Sequence, residues 1–519
     1  MKGQKMKNRS IIMGVAIAFL ALFMISKEAQ AQKTSTSVSV NNGSYRYTQK
    51  SGSQSLNVEY DGKIEFTDDD KAIKSISRRG YIFMRKTSFG KRREILAEPS
   101  ADGTIEYEYK VGRRVQEWGK EAEEFLADML LQVIRTTGIG AEGRIERFYA
   151  KGGVDAVLDE VSEIKNDHVS HIYLKVLLDN ENLSDKDLVK VAGYVPRELK
   201  NDHYITEVFK GHSEKFFKND NTTEAFLNSI DRMDNDHYVS IILKEAMKQD
   251  LNETTTIKVL EAAEIMSNDH YKSNVFKDLL DRRDLSDNLI NQIVKSTADI
   301  KNDHYATMVL RDALDRPNLT DKAFENLMDA VSNINNDHYV SQTFQSLLNN
   351  RNVSDKAVET IMVKLGSMKN DHYKNVVLKN LFENGDVSEK HFDSILSTVE
   401  DMRSDNYASQ ILTKILKEQD LNEASYSKVL ARVSDIDSDH YKVTILKNVL
   451  KGRDLKKSHL MSILKTTDTI NSDYYKSEVL KGACSAVQEA DAAVQSEFKK
   501  VAKGIRSDTY YGKVARCVD

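Results

Sequence analysis

The sequence predicts a mainly α protein, an α-solenoid of about eleven 34-residue helix-turn-helix repeats preceded by a small antiparallel β-domain. Three observations carry this. One phrase, Asn-Asp-His-Tyr in its fullest form, recurs with its aspartate at Asp167, Asp202, Asp236, Asp269, Asp303, Asp337, Asp371, Asp405, Asp439, Asp473 and Asp508. The copies are 33 to 35 residues apart, and a fixed period of that length marks stacked repeats. After each aspartate the apolar residues follow a helical face, as with Tyr271, Val275, Phe276, Leu279 and Leu280. Ahead of the repeats, the chain alternates at period two between turn signals.

Taken in order, residues 1–31 read as a signal peptide. Lys2, Lys5, Lys7 and Arg9 precede an apolar run from Ile11 to Ile25, and Ala29-Gln30-Ala31 has the form of a cleavage site. The expected location is exported, periplasmic or extracellular, with no membrane span in the mature chain; an uncleaved anchor is the alternative. Residues 32–117 form the β-domain. Asp61-Gly62 between Asn57–Tyr60 and Lys63–Phe66 predicts a tight hairpin. Ser88-Phe89-Gly90 and Asp102-Gly103 mark two further turns. From Lys71 to Arg93 there are nine basic residues and no acid. Arg78, Arg79, Arg85, Lys86, Lys91, Arg92 and Arg93 are therefore candidates to contact an anionic envelope surface, the alternative being a solvated strand face.

The net charge of −5 divides unevenly: residues 1–31 carry +4, residues 32–117 carry +4 and the remainder −13. So acidic a repeat region argues against nucleic acid as partner. Residues 118–164 read as an N-terminal helical cap. Phe125, Leu126, Met129, Leu130, Val133 and Ile134 line one face of its first helix. The next stretch, Gly138-Ile139-Gly140-Ala141-Glu142-Gly143, matches a dinucleotide fingerprint, but a helix precedes it where the fingerprint needs a strand.

Residues 165–519 are the repeats. An aliphatic residue three before the aspartate, then Asn or Ser, then Asp reads as a helix start. Asn268, Asn302, Asn336 and Asn370 are expected N-caps, and Asp269, Asp303, Asp337 and Asp371 face the positive end of the helix dipole. A second helix opens similarly at Leu285-Ser286-Asp287, Leu319-Thr320-Asp321, Val353-Ser354-Asp355, Val387-Ser388-Glu389 and Leu421-Asn422-Glu423. Neither helix can bury its stripe alone, so the units stack.

Chemistry is sparse. Eight copies carry His after the Asp, but equivalent positions in stacked units lie roughly 10 Å apart, whereas one zinc needs its ligands at about 2 Å; no metal or cofactor is expected. The motif tyrosines could form a stacking ladder for sugars, yet their place on the apolar stripe favours core packing with the hydroxyl at the edge. No H-E-x-x-H, G-x-S-x-G, Walker or C-x-x-C pattern occurs, so no catalytic residue is assigned and the chain reads as a non-enzyme. Cys484 and Cys517, late in equivalent helices of the last two copies, are expected to form a disulfide.

The tetratricopeptide pattern is not met; the repeats are closer to HEAT-like ones. The tenth copy, Ile470-Asn471-Ser472-Asp473-Tyr474-Tyr475-Lys476, together with Gly152-Gly153-Val154-Asp155-Ala156-Val157-Leu158, resembles Ser-Asp-Tyr-Tyr-type repeats of secreted bacterial proteins. Similar repeats stand on the extracytoplasmic side of some β-lactam-sensor-type regulatory membrane metallopeptidases. The resemblance covers about residues 142–519. The peptidase's metal motif and membrane helices are absent, so the resemblance implies a sensing or scaffolding module and carries over no catalytic residue. The expected function is an exported scaffold binding a protein or peptide partner along the solenoid. A cell-wall or glycan-binding protein is the first alternative. An enzyme with a site where the β-domain meets the solenoid is the second.

Overall fold

The computed structural model describes residues 34–517 apart from 42–43, 181, 317–318, 351–353, 385–386, 419–420 and 452–454. The expected signal segment 1–31 lies outside the described residues. Among those described, no helix is long and apolar enough to cross a membrane. The protein is a mainly α repeat array preceded by an antiparallel sheet, and it divides into two compact units, ending at Arg232 and beginning at Met233.

The first unit opens with nine strands: β1 (Thr34–Asn41), β2 (Ser44–Ser51), β3 (Gln54–Asp61), β4 (Ile64–Phe66), β5 (Ile73–Ile76), β6 (Tyr81–Ser88), β7 (Lys91–Pro99), β8 (Ile105–Val111) and β9 (Arg114–Gln116). Seven form one antiparallel sheet in the order β1-β2-β3-β6-β7-β8-β9. The turns at Phe89-Gly90 and Gly103 join β6 to β7 and β7 to β8, and both Phe89 and Gly90 adopt positive φ (48° and 81°), as a two-residue hairpin turn requires.

The hairpin expected across Asp61-Gly62 does not form. β3 pairs with β2 and β6, while β4 leaves the sheet and pairs with β5. The same turn signal is used differently because Ser77 intervenes: its hydroxyl accepts from the Lys63 amide (2.9 Å), and its amide donates to the Lys63 carbonyl (2.8 Å). A Cβ on Gly62 would sit 2.2 Å from that hydroxyl, so only glycine fits there.

Strand alternation puts Tyr47, Leu56, Val58, Ile82, Met84, Ile95, Ala97 and Tyr109 on one face. They share a core with Phe125, Leu126, Met129, Leu130, Val133 and Ile134 of the helix Lys120–Thr137. A sheet with one apolar face must cover it. The helix expected to begin a solenoid cap is that cover, so a boundary at 117/118 falls inside a single core.

The following helix, Ala141–Ser162, is broken by non-helical Gly152 and Gly153. Two repeats complete the unit. The first is regular, with helices Asp167–Asp179 and Asp185–Glu198. The second departs from the helix-turn-helix plan: its first helix stops at Phe209, Gly211 takes a left-handed φ of 85°, and two short helices, Ser213–Phe216 and Asp220–Asn228, follow around packed Phe209, Phe216 and Phe226 rings.

The second unit is regular. Its first helices begin at Asp236, Asp269, Asp303, Asp337, Asp371, Asp405, Asp439, Asp473 and Asp508, with second helices between them. First helices pack on first helices and second on second. The aliphatic residue before each motif is buried, as with Met266, Ile300, Ile334, Met368, Ile436, Ile470 and Ile505. Each therefore plugs the turn where one repeat passes to the next.

Candidate functional site

The motif edge is built by two hydrogen-bonding devices. The first is the cap. The side chain of Asn268 accepts from the amide of His270 (3.1 Å), and Asn302, Asn336 and Asn370 accept from His304, His338 and His372 (3.0 Å each). The helix start thus gains a partner for one of its unpaired amides.

The second device was not visible in the dipole reading of the aspartate. Nine of the motif carboxylates, those of Asp167, Asp236, Asp269, Asp303, Asp337, Asp371, Asp405, Asp439 and Asp473, reach the turn that begins the next repeat. Asp303 Oδ2 accepts from the amides of Asn335 (3.2 Å) and Asn336 (2.8 Å); Asp337 accepts from Lys369 and Asn370 (2.8 Å each); Asp371 accepts from Arg403 and Ser404 (2.8 Å each). Asp167, Asp439 and Asp473 do the same for their successors, and Asp269 reaches Asn302. These are charge-assisted bonds that staple repeat to repeat. The sequence did hold a signal for them. The motif acid is Asp in all eleven copies, whereas the acid opening the second helix is Asp287, Asp321 and Asp355 but Glu389 and Glu423. A dipole accepts either acid; a fixed reach does not.

With Asn and Asp engaged in the backbone, the rings face outward. His270, His304 and His372 are exposed, and the motif tyrosines are half-buried. Core packing was the expectation for these tyrosines. Instead Tyr271, Tyr305, Tyr339 and Tyr373 each meet the histidine of their own copy and that of the copy before. Tyr305 lies 5.1 Å from His304 and 5.4 Å from His270, and Tyr339 lies 5.2 Å from His338 and 5.5 Å from His304. The tilted and edge-on contacts run unbroken from Tyr238 to Tyr407. Asn406 interrupts them, and they resume at His440. The physical reason is geometric. Two residues past the aspartate is still the first turn of the helix, at the rim of the stack and not in it. Asn274 and Gln342, one turn on, reach the Nε2 atoms of His270 and His338 (3.3 and 3.1 Å) and orient those rings. Between the fourth and fifth copies the edge forms a shallow groove of about 530 Å³ lined by Asn268, His270, Tyr271, Lys301, Asn302 and Tyr305.

The first unit has a separate cleft of about 540 Å³ walled by β4, the Gly138–Gly143 turn, Ile172 and Val176. The glycines serve the turn: Gly138 and Gly140 have φ of 75° and 71°, and a Cβ on Gly140 would strike the Phe66 ring at 2.7 Å. Beside the cleft lies a buried charge network. Arg144, only 2% exposed, donates to Asp70 (2.8 Å), Glu160 (2.9 Å) and the Tyr173 hydroxyl (2.6 Å). Arg147 adds Asp70 (2.6 Å) and Arg135 adds Glu160 (2.8 Å). Burial works against the Arg144 charge, but Tyr173, Asp70 and Glu160 together outweigh it and raise its pKa. Buried Glu160 and half-buried Asp70 are thereby both held by arginines.

The seven basic candidates do not form one surface. Lys86 and Arg93 lie on the core side of the sheet, where Lys86 donates to Gln132 (2.9 Å) and Arg93 sits over the Phe125 ring at 5.1 Å. Arg85 and Arg92 lie on the opposite face and both pair with Glu94, which is buried. Arg78 and Arg79 are exposed in the turn between β5 and β6, and Lys91 is exposed at the start of β7. Strand alternation divides a linear run between two faces.

Cys484 and Cys517 are joined in a disulfide with Cα atoms 5.5 Å apart, and Gln488 donates to the Cys517 carbonyl (2.8 Å). Near the start of the repeats, His171 packs against the His168 and Tyr204 rings (5.1 and 4.8 Å), and burial lowers its pKa to about 4. Among the described residues no group of three His, Cys, Asp or Glu is placed to hold a metal.

No family model and no curated protein matches the chain. Similar solved structures include a Puf4 mutant bound to a Cox17 RNA 3′ UTR recognition sequence, 12% identical over 66% of this chain and 99% of that one, with a TM-score of 0.27. Human Puf-A is 12% identical over 77% and 88%, with a TM-score of 0.26. A circular tandem repeat protein of novel repeat topology is 10% identical over 77% and 84%, with a TM-score of 0.13. At these scores the likeness carries no argument about a ligand. The exclusion of nucleic acid as partner does not stand, because it rested only on the summed acidic balance of the repeats. Net charge is a sum over the whole surface, while single edges carry cations such as Lys301, Lys369 and Arg403.

Proposed function

We propose that the protein is an exported, non-catalytic binding scaffold that holds an extended partner along the motif edge of its repeats. The observation that carries this is the ring ladder, which presents the same outward groups copy after copy while every named carboxylate beneath it is engaged in the backbone. Extended surfaces of this kind are what stacked repeats offer to partners. Export is supported by the basic, apolar and A-x-A succession in residues 1–31, and the disulfide suits an oxidising compartment. The resemblance to extracytoplasmic repeats of sensor-type proteins points the same way. The reading as an enzyme finds no support beside the first unit's cleft, because Asp70 and Glu160 are both bound by arginines instead of standing free for acid–base work.

The test is to express the chain with residues 1–31 intact, follow their removal by mass spectrometry, and cross-link the exported protein in place. Cross-links mapping to the first-turn residues of several consecutive repeats are expected. Retention of the chain inside the cell, or cross-links confined to the sheet, would overturn the reading.

A further inference from the structure

The ladder also says what kind of polymer it fits. We infer that the strip from Tyr238 to Tyr407 is a binding track for a linear, uncharged glycan, an assignment that rests on the scaffold reading above.

The first argument is repetition. A peptide presents a different side chain at each position and is read by differentiated pockets. Here Tyr271, Tyr305, Tyr339 and Tyr373, each flanked by two histidines, form near-identical subsites in series. Identical subsites suit a polymer of identical units.

Charge supplies the second argument. A chain of phosphates is tracked by a groove of constant positive sign. The residue two before each motif aspartate borders this edge, and it runs Asp234, Ser267, Lys301, Asn335, Lys369, Arg403. The rings stay constant while the charge beside them changes sign. A polyanion would meet acidic Asp234 at one end, uncharged Ser267 and Asn335 between, and Lys301, Lys369 and Arg403 elsewhere, so no constant charge tracks it along the strip.

The third argument is hydrogen-bonding chemistry. Because Oδ1 of each capping asparagine is taken by a backbone amide, the side-chain nitrogens of Asn268, Asn302, Asn336 and Asn370 remain as donors on exposed residues. Tyrosine hydroxyls donate and accept. Flat apolar rings interleaved with uncharged polar groups match a sugar, which has apolar C–H faces and a rim of hydroxyls. Successive helices stack about 8–10 Å apart, a step comparable to two sugar rings of an extended chain.

The test uses the purified full chain and calorimetry with neutral oligosaccharides of increasing length, β-linked glucose and N-acetylglucosamine oligomers against a branched glucan. Affinity is expected to rise with length for a linear oligomer. It should fall on the order of tenfold when His270→Ala, His304→Ala, His338→Ala and His372→Ala are combined in a variant whose circular dichroism is unchanged. Asn406→His, which fills the gap between Tyr407 and the rings beginning at His440, should strengthen binding of the longest oligomers only. Binding of none of these oligomers, or binding indifferent to both variants, overturns the inference. If the fourfold variant instead loses a single-stranded RNA or an extended peptide, the glycan assignment falls and the scaffold reading stands. If it loses nothing that the native chain binds, both fall.

Discussion

The two units hold neighbouring elements together in opposite ways. In the first, a single arginine gathers three different partners: Arg144 meets Asp70 in the loop after β4, Glu160 beyond the break in its helix and Tyr173 in the first repeat. In the second, one repeat-to-repeat device is used again and again, a carboxylate on two amides of the next turn. The unique network concentrates its energy at one point, whereas the repeated one spreads it. Damage should therefore be severe in the first unit and local in the second.

The largest effect is expected at Arg144. Arg144→Ala leaves Asp70 and Glu160 short of a buried counter-charge, and breaking a buried pair from one side costs about 3–5 kcal/mol. Hydrogen exchange should show residues 141–179 losing protection while residues 303–384 keep theirs. Equal loss in both would mean that the units do not differ in this way. Next is the disulfide. Cys484→Ser with Cys517→Ser removes a crosslink worth roughly 2–4 kcal/mol, and the helix Asp508–Ala515 should exchange freely while the preceding repeats stay protected.

Asp303→Ala comes third. Hydrogen bonds to a charged acceptor contribute about 1.5–3 kcal/mol. The loss should appear at the amides of Asn335 and Asn336, with Asp303→Asn milder because an amide oxygen still accepts. An effect limited to the helix that Asp303 itself starts would restore the dipole as the reason for the residue. Asn336→Ala should cost about 1 kcal/mol, seen as faster exchange at His338.

The smallest effect sharpens the comparison from the side of pH. The folded pKa of His171, about 4, lies below its ordinary value of 6.5. Between those values the unfolded chain binds the extra proton, so stability is full above about pH 6.5 and declines as pH falls toward 4. His171→Phe should remove this slope, as read from thermal unfolding of the first unit against pH. An unchanged slope would place the titrating group elsewhere.

This contrast explains what the sequence disclosed. The repeats announced themselves because eleven copies of one solution are eleven replicates, and whatever stays constant among them is under physical constraint. The caps at Asn302 and Asn336 and the turn at Phe89-Gly90 were readable because both partners lie within a few residues. The Arg144 network was not, since 74 residues separate Arg144 from Asp70 and nothing local marks either. The departure of β4 was equally hidden, because Asp61-Gly62 looks like any hairpin turn and the decision rests with Ser77. The tyrosine ladder was misplaced into the core because helical spacing gives a face but not a depth. Those rings sit in the first turn, where the face that points inward further along has already reached the rim.

The aspartate clip has a consequence for how such a chain can change its length. Donor and acceptor of each clip belong to different copies, so the joints are directional, each copy offering a carboxylate forward and two amides backward. Cutting out part of a copy leaves a carboxylate with nothing to hold or a turn with nothing holding it. Cutting from one aspartate to just before the next, residues 303–336 for instance, removes Asp303 together with the turn it holds, and Asn302, still held by Asp269, then leads into Asp337 with no loose end. The reach of the protein is therefore adjustable only in whole steps, like a chain shortened by removing links and never by filing one down.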